Sequence, residues 1–259
     1  MSANVTADAV NKPIVIEELY PEFGNQAGDN GNLMYLRACL PQAEVVRTPF
    51  SAEPAFMSHE VSCVLLGGMT ESQQVKVAAR MMPYRDRLLE LADAGVPMLF
   101  TGNAAELLGK KIVDPEGNET PCLGIFDFVT RQEMPNRYDA VFVGDFSPVG
   151  GVRGKASIEM TGFKAQFTQM QGVNDDCCFC RVTANGFGLD LQGKTEGFMH
   201  NRLIATWLIG PILPSNPDFA RWFLDAMGAA DAPLAFEDVA REAYELRLAE
   251  LKTPGITLE

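Results

Sequence analysis

The sequence predicts an α/β protein built on a mostly parallel central sheet flanked by helices, and three observations carry that prediction. Short apolar runs suited to buried strands recur through the first hundred residues: Pro13–Tyr20, Val61–Leu66 and Pro97–Phe100. Each ends in turn residues: Pro21 with Gly24, Gly67-Gly68, and Thr101-Gly102-Asn103. Helical segments lie between them, in the order strand, helix, strand, strand, helix, strand, helix.

The first strand reads Pro13-Ile14-Val15-Ile16-Glu17-Glu18-Leu19-Tyr20, and a loop of turn residues through Gly28-Asp29-Asn30-Gly31-Asn32 follows it. Asn32–Leu40 has helical spacing, with Leu33, Leu36 and Leu40 on one face. Ala43–Thr48 and Val61–Leu66 are the next two strands. One long helix is expected over Gln73–Ala94, ended by Gly95-Val96-Pro97. Ile14–Glu18, Ser62–Leu66 and Met98–Phe100 should lie near the sheet centre, because their apolar runs are nearly continuous.

After Gly109 the chain turns β-rich. Lys110–Cys122 suits a hairpin turning at Asp114–Asn118, and short β-like runs follow to Asp190, including Ala140–Gly144 and Lys155–Glu159. Arg202–Leu208 fits a helix or a strand equally well. Asp218–Met227 and Phe236–Leu251 read as amphipathic helices, the latter within a C-terminal helical segment at 234–252. No interdomain linker interrupts residues 1–259, so one domain is expected, with residues 1–12 disordered.

Composition narrows the function. Lysine and arginine number 21 against 34 acids, a net charge of −13 that opposes binding to nucleic acid or an anionic membrane. No apolar segment reaches the roughly 20 residues a membrane span needs, and residues 1–13 lack the pattern of a signal peptide. A cytoplasmic protein with free thiols is the expectation for its six cysteines. Cys177, Cys178 and Cys180 cluster, but no C-x-x-C pair exists and the chain holds only His59 and His200. The cluster reads as a strand or hairpin; no metal and no cofactor is expected.

Val96–Gly109, VPMLFTGNAAELLG, is the stretch that bears most on chemistry. A buried strand delivers its end into a sharp turn that opens a helix, the shape of a nucleophile elbow in α/β hydrolytic folds. Gly102 occupies the apex and has no side chain to attack with. An ordinary strand-to-helix turn needing positive φ reads the same way.

Four stretches together resemble the class I glutamine amidotransferases of the cobyric-acid-synthase type, and within them the glutaminase subunits of lipid II isoglutaminyl synthase, the GatD type. These are Leu19-Tyr20-Pro21 with Gly28–Asn32; Leu66-Gly67-Gly68; Glu106-Leu107-Leu108-Gly109; and Thr195-Glu196-Gly197 with Asn201 and Gly210–Pro217. The resemblance implies a flavodoxin-like amidotransferase fold and a cysteine nucleophile at the elbow. A histidine serves that cysteine, backbone N–H groups hold the oxyanion, and the ammonia passes to a Mur-ligase-like subunit. Relatives read C-A-G-Y-Q-L-L-G where this chain reads Gly102-Asn103-Ala104-Ala105-Glu106-Leu107-Leu108-Gly109, so Gly102 stands at the nucleophile position. Relatives read L-H-G-P where this chain has Leu208-Ile209-Gly210-Pro211, so Ile209 stands at the base position. Thr101 neighbours the apex and His200 lies nine residues before Ile209; neither substitutes for the missing pair.

The resemblance assigns Gly67, Gly68 and Asn103 to an oxyanion or ligand pocket able to take a carboxamide or carboxylate. It makes Asp29, Asn30 and Asn32 a family loop, and places Arg137 or Arg131 where a substrate carboxylate could be met. The plainer readings are glycines kept for the backbone, a rigid loop, and surface arginines. Loss of nucleophile and base together costs on the order of a million-fold in rate. The expectation is therefore a binding or regulatory partner of a Mur-ligase-like subunit in cell-wall peptide amidation, without glutaminase activity. The alternatives are an amidotransferase or hydrolase with non-standard residues, and a sensor that binds glutamine, glutamate or a related small molecule.

Overall fold

The computed structural model describes residues 12–253 and residue 256. The expected disorder of residues 1–12 therefore falls, but for residue 12, outside the described residues. In chain order the first half comprises β1 (Val15–Leu19), α1 (Asn30–Cys39), β2 (Glu44–Thr48), β3 (Cys63–Leu66), α2 (Glu71–Met81), α3 (Arg85–Asp93) and β4 (Met98–Thr101). The second half adds β5 (Lys111–Val113), β6 (Glu119–Pro121), β7 (Phe128–Gln132), β8 (Tyr138–Phe146), β9 (Ile158–Gln166) and β10 (Thr168–Gly172). It closes with β11 (Cys180–Val182), β12 (Thr195–Glu196), β13 (Phe198–His200), β14 (Leu203–Thr206), α4 (Ile212–Ser215), α5 (Pro217–Ala226) and α6 (Glu237–Leu251).

Six strands form the main sheet in the order β13-β14-β4-β3-β1-β2. All its neighbours pair in parallel except the β13–β14 hairpin. The three strands expected near the centre are interior, and the Arg202–Leu208 ambiguity resolves as a strand. β4 is buried at every position, as a strand covered on both faces must be. Side chains alternate accordingly. Leu66 and Phe100 join Val77, Met81 and Leu88 of α2 and α3 in one apolar layer. Leu65 and Leu99 join Leu36 of α1 and Phe219 and Phe223 of α5 in the other.

The helix expected over Gln73–Ala94 is two helices. It starts at Glu71 behind a capping box, in which Thr70 and Gln73 satisfy each other's backbone N–H groups. It breaks at a single 3-10 turn, Met82–Tyr84. Pro83 lacks the N–H that would continue the ladder and its ring crowds the preceding turn. The helix after the elbow is also 3-10, Gly102–Leu108. The β-rich half closes into two four-stranded sheets of its own, β10-β7-β5-β6 and β12-β11-β8-β9. The hairpin at Lys110–Cys122 is present as β5 and β6. Lys155–Glu159 is mostly the turn leading into β9, with Lys155 bridged to Val152.

Phe100 is fully buried at the centre of this sheet. Phe100→Ala should cost about 3–5 kcal/mol, read as a shift of the denaturant midpoint at unchanged slope. A loss under 1 kcal/mol would contradict the central placement of β4.

Candidate functional site

The ends of three parallel strands set the geometry. Leu66 pairs with Phe100, and Thr101 pairs with Thr206, so β3, β4 and β14 finish side by side. The segments that follow them, Gly67-Gly68, Gly102-Asn103 and Trp207–Gly210, therefore converge at the carboxyl edge of the sheet, the usual place for ligands in such folds.

Gly102 has φ +59°, a left-handed conformation that L side chains seldom adopt. A Cβ built there would stand 3.3 Å from Ile209 Cγ2 and 3.4 Å from Gly68 Cα. The two positions at which the resemblance calls for nucleophile and base are thus direct neighbours, with Gly68 facing Gly102. Ile209 is half-buried, and its N–H donates to Phe163 O at 2.9 Å, tying it to β9. Gly67 must be glycine for a separate reason: a Cβ there would lie 2.2 Å from Gly24 O and 2.3 Å from Asp29 Cβ.

The family loop holds this frame from below. Asp29 is buried; its Oδ1 accepts from the Thr101 hydroxyl at 2.5 Å and its Oδ2 from Ala27 N–H at 3.2 Å. Burial raises its pKa, and the Thr101 bond opposes the rise. The Thr101 hydroxyl is thereby committed to Asp29. The Asn30 N–H donates to Asn25 Oδ1 at 3.0 Å. Asn32 Oδ1 accepts from Leu213 N–H at 3.0 Å, while a Cβ on Gly31 would be 2.7 Å from Pro211 Cβ. The two most specific motifs of the sequence pack against each other, and together they fix the segment that carries Ile209.

Asn103 lies at the turn, but its amide is spent on structure. Oδ1 accepts from Met69 N–H at 2.9 Å and Nδ2 donates to Met69 O at 2.7 Å. This clamp locks Gly67-Gly68-Met69 against the elbow. Arg131 and Arg137 belong to the second half of the chain. Arg131 Nε donates to Gln171 at 2.8 Å; Arg137 Nε donates to Asp139 at 3.0 Å and its guanidinium lies over the Phe167 ring. Both are engaged with their own sheets rather than hydrogen-bonded to the turn. His200 pairs with Asp93 on the surface at 2.7 Å, at the opposite end of the hairpin that leads into β14. Among the described residues no three His, Cys, Asp or Glu side chains are placed to hold a metal ion.

A buried polar chain behind the elbow escaped sequence reasoning. Glu106 is fully buried and accepts from Gln74 Nε2 at 2.7 Å, Thr168 Oγ1 at 2.5 Å and Trp207 Nε1 at 3.1 Å. Its neighbour in the chain of contacts, Glu196, accepts from Trp207 N–H and Thr206 Oγ1, both at 2.9 Å, and lies 3.7 Å from the buried ammonium of Lys164. Lys164 donates to Gly188 O at 2.7 Å, and burial pulls its pKa down to about 8 against the pull of Glu196. The only signal in the sequence was an acid, Glu106, within the apolar run AAELLG.

Burial pushes the Glu106 carboxyl up to about 7, the hydrogen bonds from Thr168, Gln74 and Trp207 resisting. The folded state therefore holds this proton more tightly than the unfolded chain. The group's contribution to stability is complete below its ordinary value of 4.5 and is lost as pH rises through about 7. Relative to Glu106→Gln, which cannot titrate, the wild type should lose on the order of 2 kcal/mol between pH 4.5 and 7.5. Denaturant titrations of both proteins across that range measure it; a constant difference would show that Glu106 does not titrate there.

Residues 25–217 match the CobB/CobQ-like glutamine amidotransferase domain. Over 203 residues the chain is 27% identical to the lipid II isoglutaminyl synthase (glutamine-hydrolyzing) subunit GatD of Staphylococcus aureus, covering 78% of this chain and 79% of that one. Over 215 residues it is 24% identical to the Streptococcus pneumoniae subunit of the same name, covering 79% and 76%. Among solved structures, PurLQS from Thermotoga maritima superposes with a TM-score of 0.51 at 10% identity, over 91% of this chain and 99% of that one, a likeness of fold alone. Three quarters of the chain thus matches one domain model, over the stretch that contains both the elbow and the Ile209 segment: the chain belongs to the CobB/CobQ-like glutamine amidotransferase family and is a GatD-like homologue.

Proposed function

We propose that this GatD-like protein is a catalytically silent amidotransferase homologue that works by binding, as the partner of a Mur-ligase-like subunit in cell-wall peptide amidation in the cytoplasm. One observation carries the reading. At the position of the attacking group there is only Gly102, and the neighbour that would have to take its proton is Ile209, with a methyl 3.3 Å from where a Cβ would stand. A thiol is the nucleophile the family's chemistry needs, and an alkyl side chain can neither accept nor return a proton.

The six native cysteines do not supply a substitute. Burial raises the pKa of every one, Cys122 to about 12, so none is held as a ready thiolate. The relatives' names describe subunits of a glutamine-hydrolysing synthase, which supports a role inside an assembly. Among the described residues no helix is long and apolar enough to cross a membrane.

Ammonia release from glutamine, followed with a coupled dehydrogenase, should stay at background for the purified protein. Turnover approaching the roughly 10 per second of a median enzyme would overturn the reading. Gly102→Cys with Ile209→His should give weak ammonia release, since the backbone frame is in place. The cysteine must adopt φ near +59°, at a cost of about 1–2 kcal/mol. Gly102→Cys alone should release none, because Ile209 still occupies the space beside it.

A further inference from the structure

Helix α6 carries apolar residues on its outward side as well as on the side that packs against the protein. The side it turns to the protein carries Ala240, Tyr244, Leu248 and Leu251 and is also tethered by polar contacts. Tyr244 donates its hydroxyl to Glu159 O at 2.9 Å, and Arg247 donates to Thr161 Oγ1 at 3.0 Å and to Ser215 O. Arg241 is held by Asp218 at 2.9 Å and Glu237 at 2.8 Å. Only Leu251 of the helix is fully buried.

The outward side carries apolar residues too. Phe236, Val239 and Leu246 are 75%, 70% and 67% exposed. Within the helix Val239, the exposed Ala243 and Leu246 recur at i, i+4 and i+7, one stripe of a helix, and Phe236 stands at the N-cap just before them. Three of the large exposed apolar side chains among the described residues thus fall in eleven consecutive positions, whereas surface apolar residues that only tolerate solvent are scattered singly. Phe236 keeps a bulky ring at φ +54°, a backbone region where such residues are outliers.

The exposed charges beside the stripe that lack an ion-pair partner among the described residues are all acidic. Asp238, Glu242, Glu245 and Glu250 are exposed, and none belongs to an ion pair among the described residues. The nearby cations are engaged: Arg241 with Asp218 and Glu237, Arg247 with Thr161 and Ser215, and Lys252 with Glu159 at 2.5 Å. A second copy of the chain would bring one acidic edge against another, which costs association. An anionic lipid surface is repelled by the same carboxylates.

Resting on the partner reading given above, we propose that the outward face of α6 is the surface on which the partner subunit docks. The complementary surface is an apolar groove edged with lysine and arginine. The apolar stripe supplies the buried anchor and the acidic edge sets orientation and on-rate. The face lies on an element that contributes no residue to the elbow turn itself.

The test uses the full chain and the Mur-ligase-like subunit encoded in the same genome, with affinity from calorimetry and stoichiometry from light scattering. Val239→Glu with Leu246→Glu should weaken the complex at least about 100-fold, the scale of losing two central apolar anchors. Glu242→Lys with Glu245→Lys should weaken it about 10-fold and flatten its salt dependence. All four positions are exposed, and circular dichroism melts should match wild type. If wild type binds and both double variants bind within threefold of it, the docking face is wrong while the partner reading stands. If wild type forms no complex, the partner reading falls and this proposal with it. If the chain instead self-associates and Val239→Glu with Leu246→Glu abolishes that, the face belongs to a second copy and the proposal is overturned.

Discussion

The parallel register of β3, β4 and β14 is the constraint on which the rest of the site depends. A parallel neighbour fixes not only which strands touch but at what height they end. Thr101 opposite Thr206 and Phe100 opposite Leu66 bring three chain segments, from residue 66 to residue 206, to the same edge. The contact between residues 102 and 209 is a consequence of sheet hydrogen bonding and needs no chemistry to maintain it. That is why the backbone geometry of this edge can be kept whatever side chains occupy positions 102 and 209.

What holds the frame rigid is a set of buried polar staples rather than the apolar layers alone. Thr101 to Asp29, Asn103 to Met69, and Asn32 to Leu213 each join a turn at the sheet edge to another segment. Asn216 does the same for β9, taking Thr161 N–H at 2.8 Å and donating to Thr161 O and Ile212 O at 2.9 Å. A buried amide or carboxylate with its partners in place contributes modestly. One deprived of a partner costs about 1–3 kcal/mol, so such staples specify a single arrangement of the loops.

The elements legible in the sequence were those governed by local rules. Continuous apolar runs gave the interior strands, paired glycines gave the turns, and the order of elements gave the parallel sheet. Gly102 and Ile209 were legible by resemblance, and the register then brings them together. The missed features depend on distant partners. The break at Pro83 was in the sequence, but the apolar spacing continues across it through Leu88, so periodicity concealed it. The role of Asn103 was hidden because an asparagine at a helix start could equally cap the turn, face a ligand or, as here, clamp Met69. Glu106 could not be read as a buried carboxylate, because its donors come from positions 74, 168 and 207. Arg131 and Arg137 were placed by analogy with a substrate contact; Arg131 bonds Gln171 on the neighbouring strand, and Arg137 bonds Asp139 two residues further on.

The two substitutions at the elbow also make sense as a pair. A histidine at 209 without a thiol beside it would be a half-buried imidazole lacking its hydrogen-bond partner, and such groups are costly to leave unsatisfied. A cysteine at 102 would keep its backbone in a left-handed conformation for no catalytic return, and press its Cβ within 3.3 Å of the Ile209 methyl. Glycine removes the strain, and isoleucine removes the unsatisfied nitrogen and packs against the apolar layer of β4. Each change is more tolerable in the presence of the other. Gly67 is fixed independently of either position, because Gly24 O and Asp29 Cβ leave no room there for a Cβ.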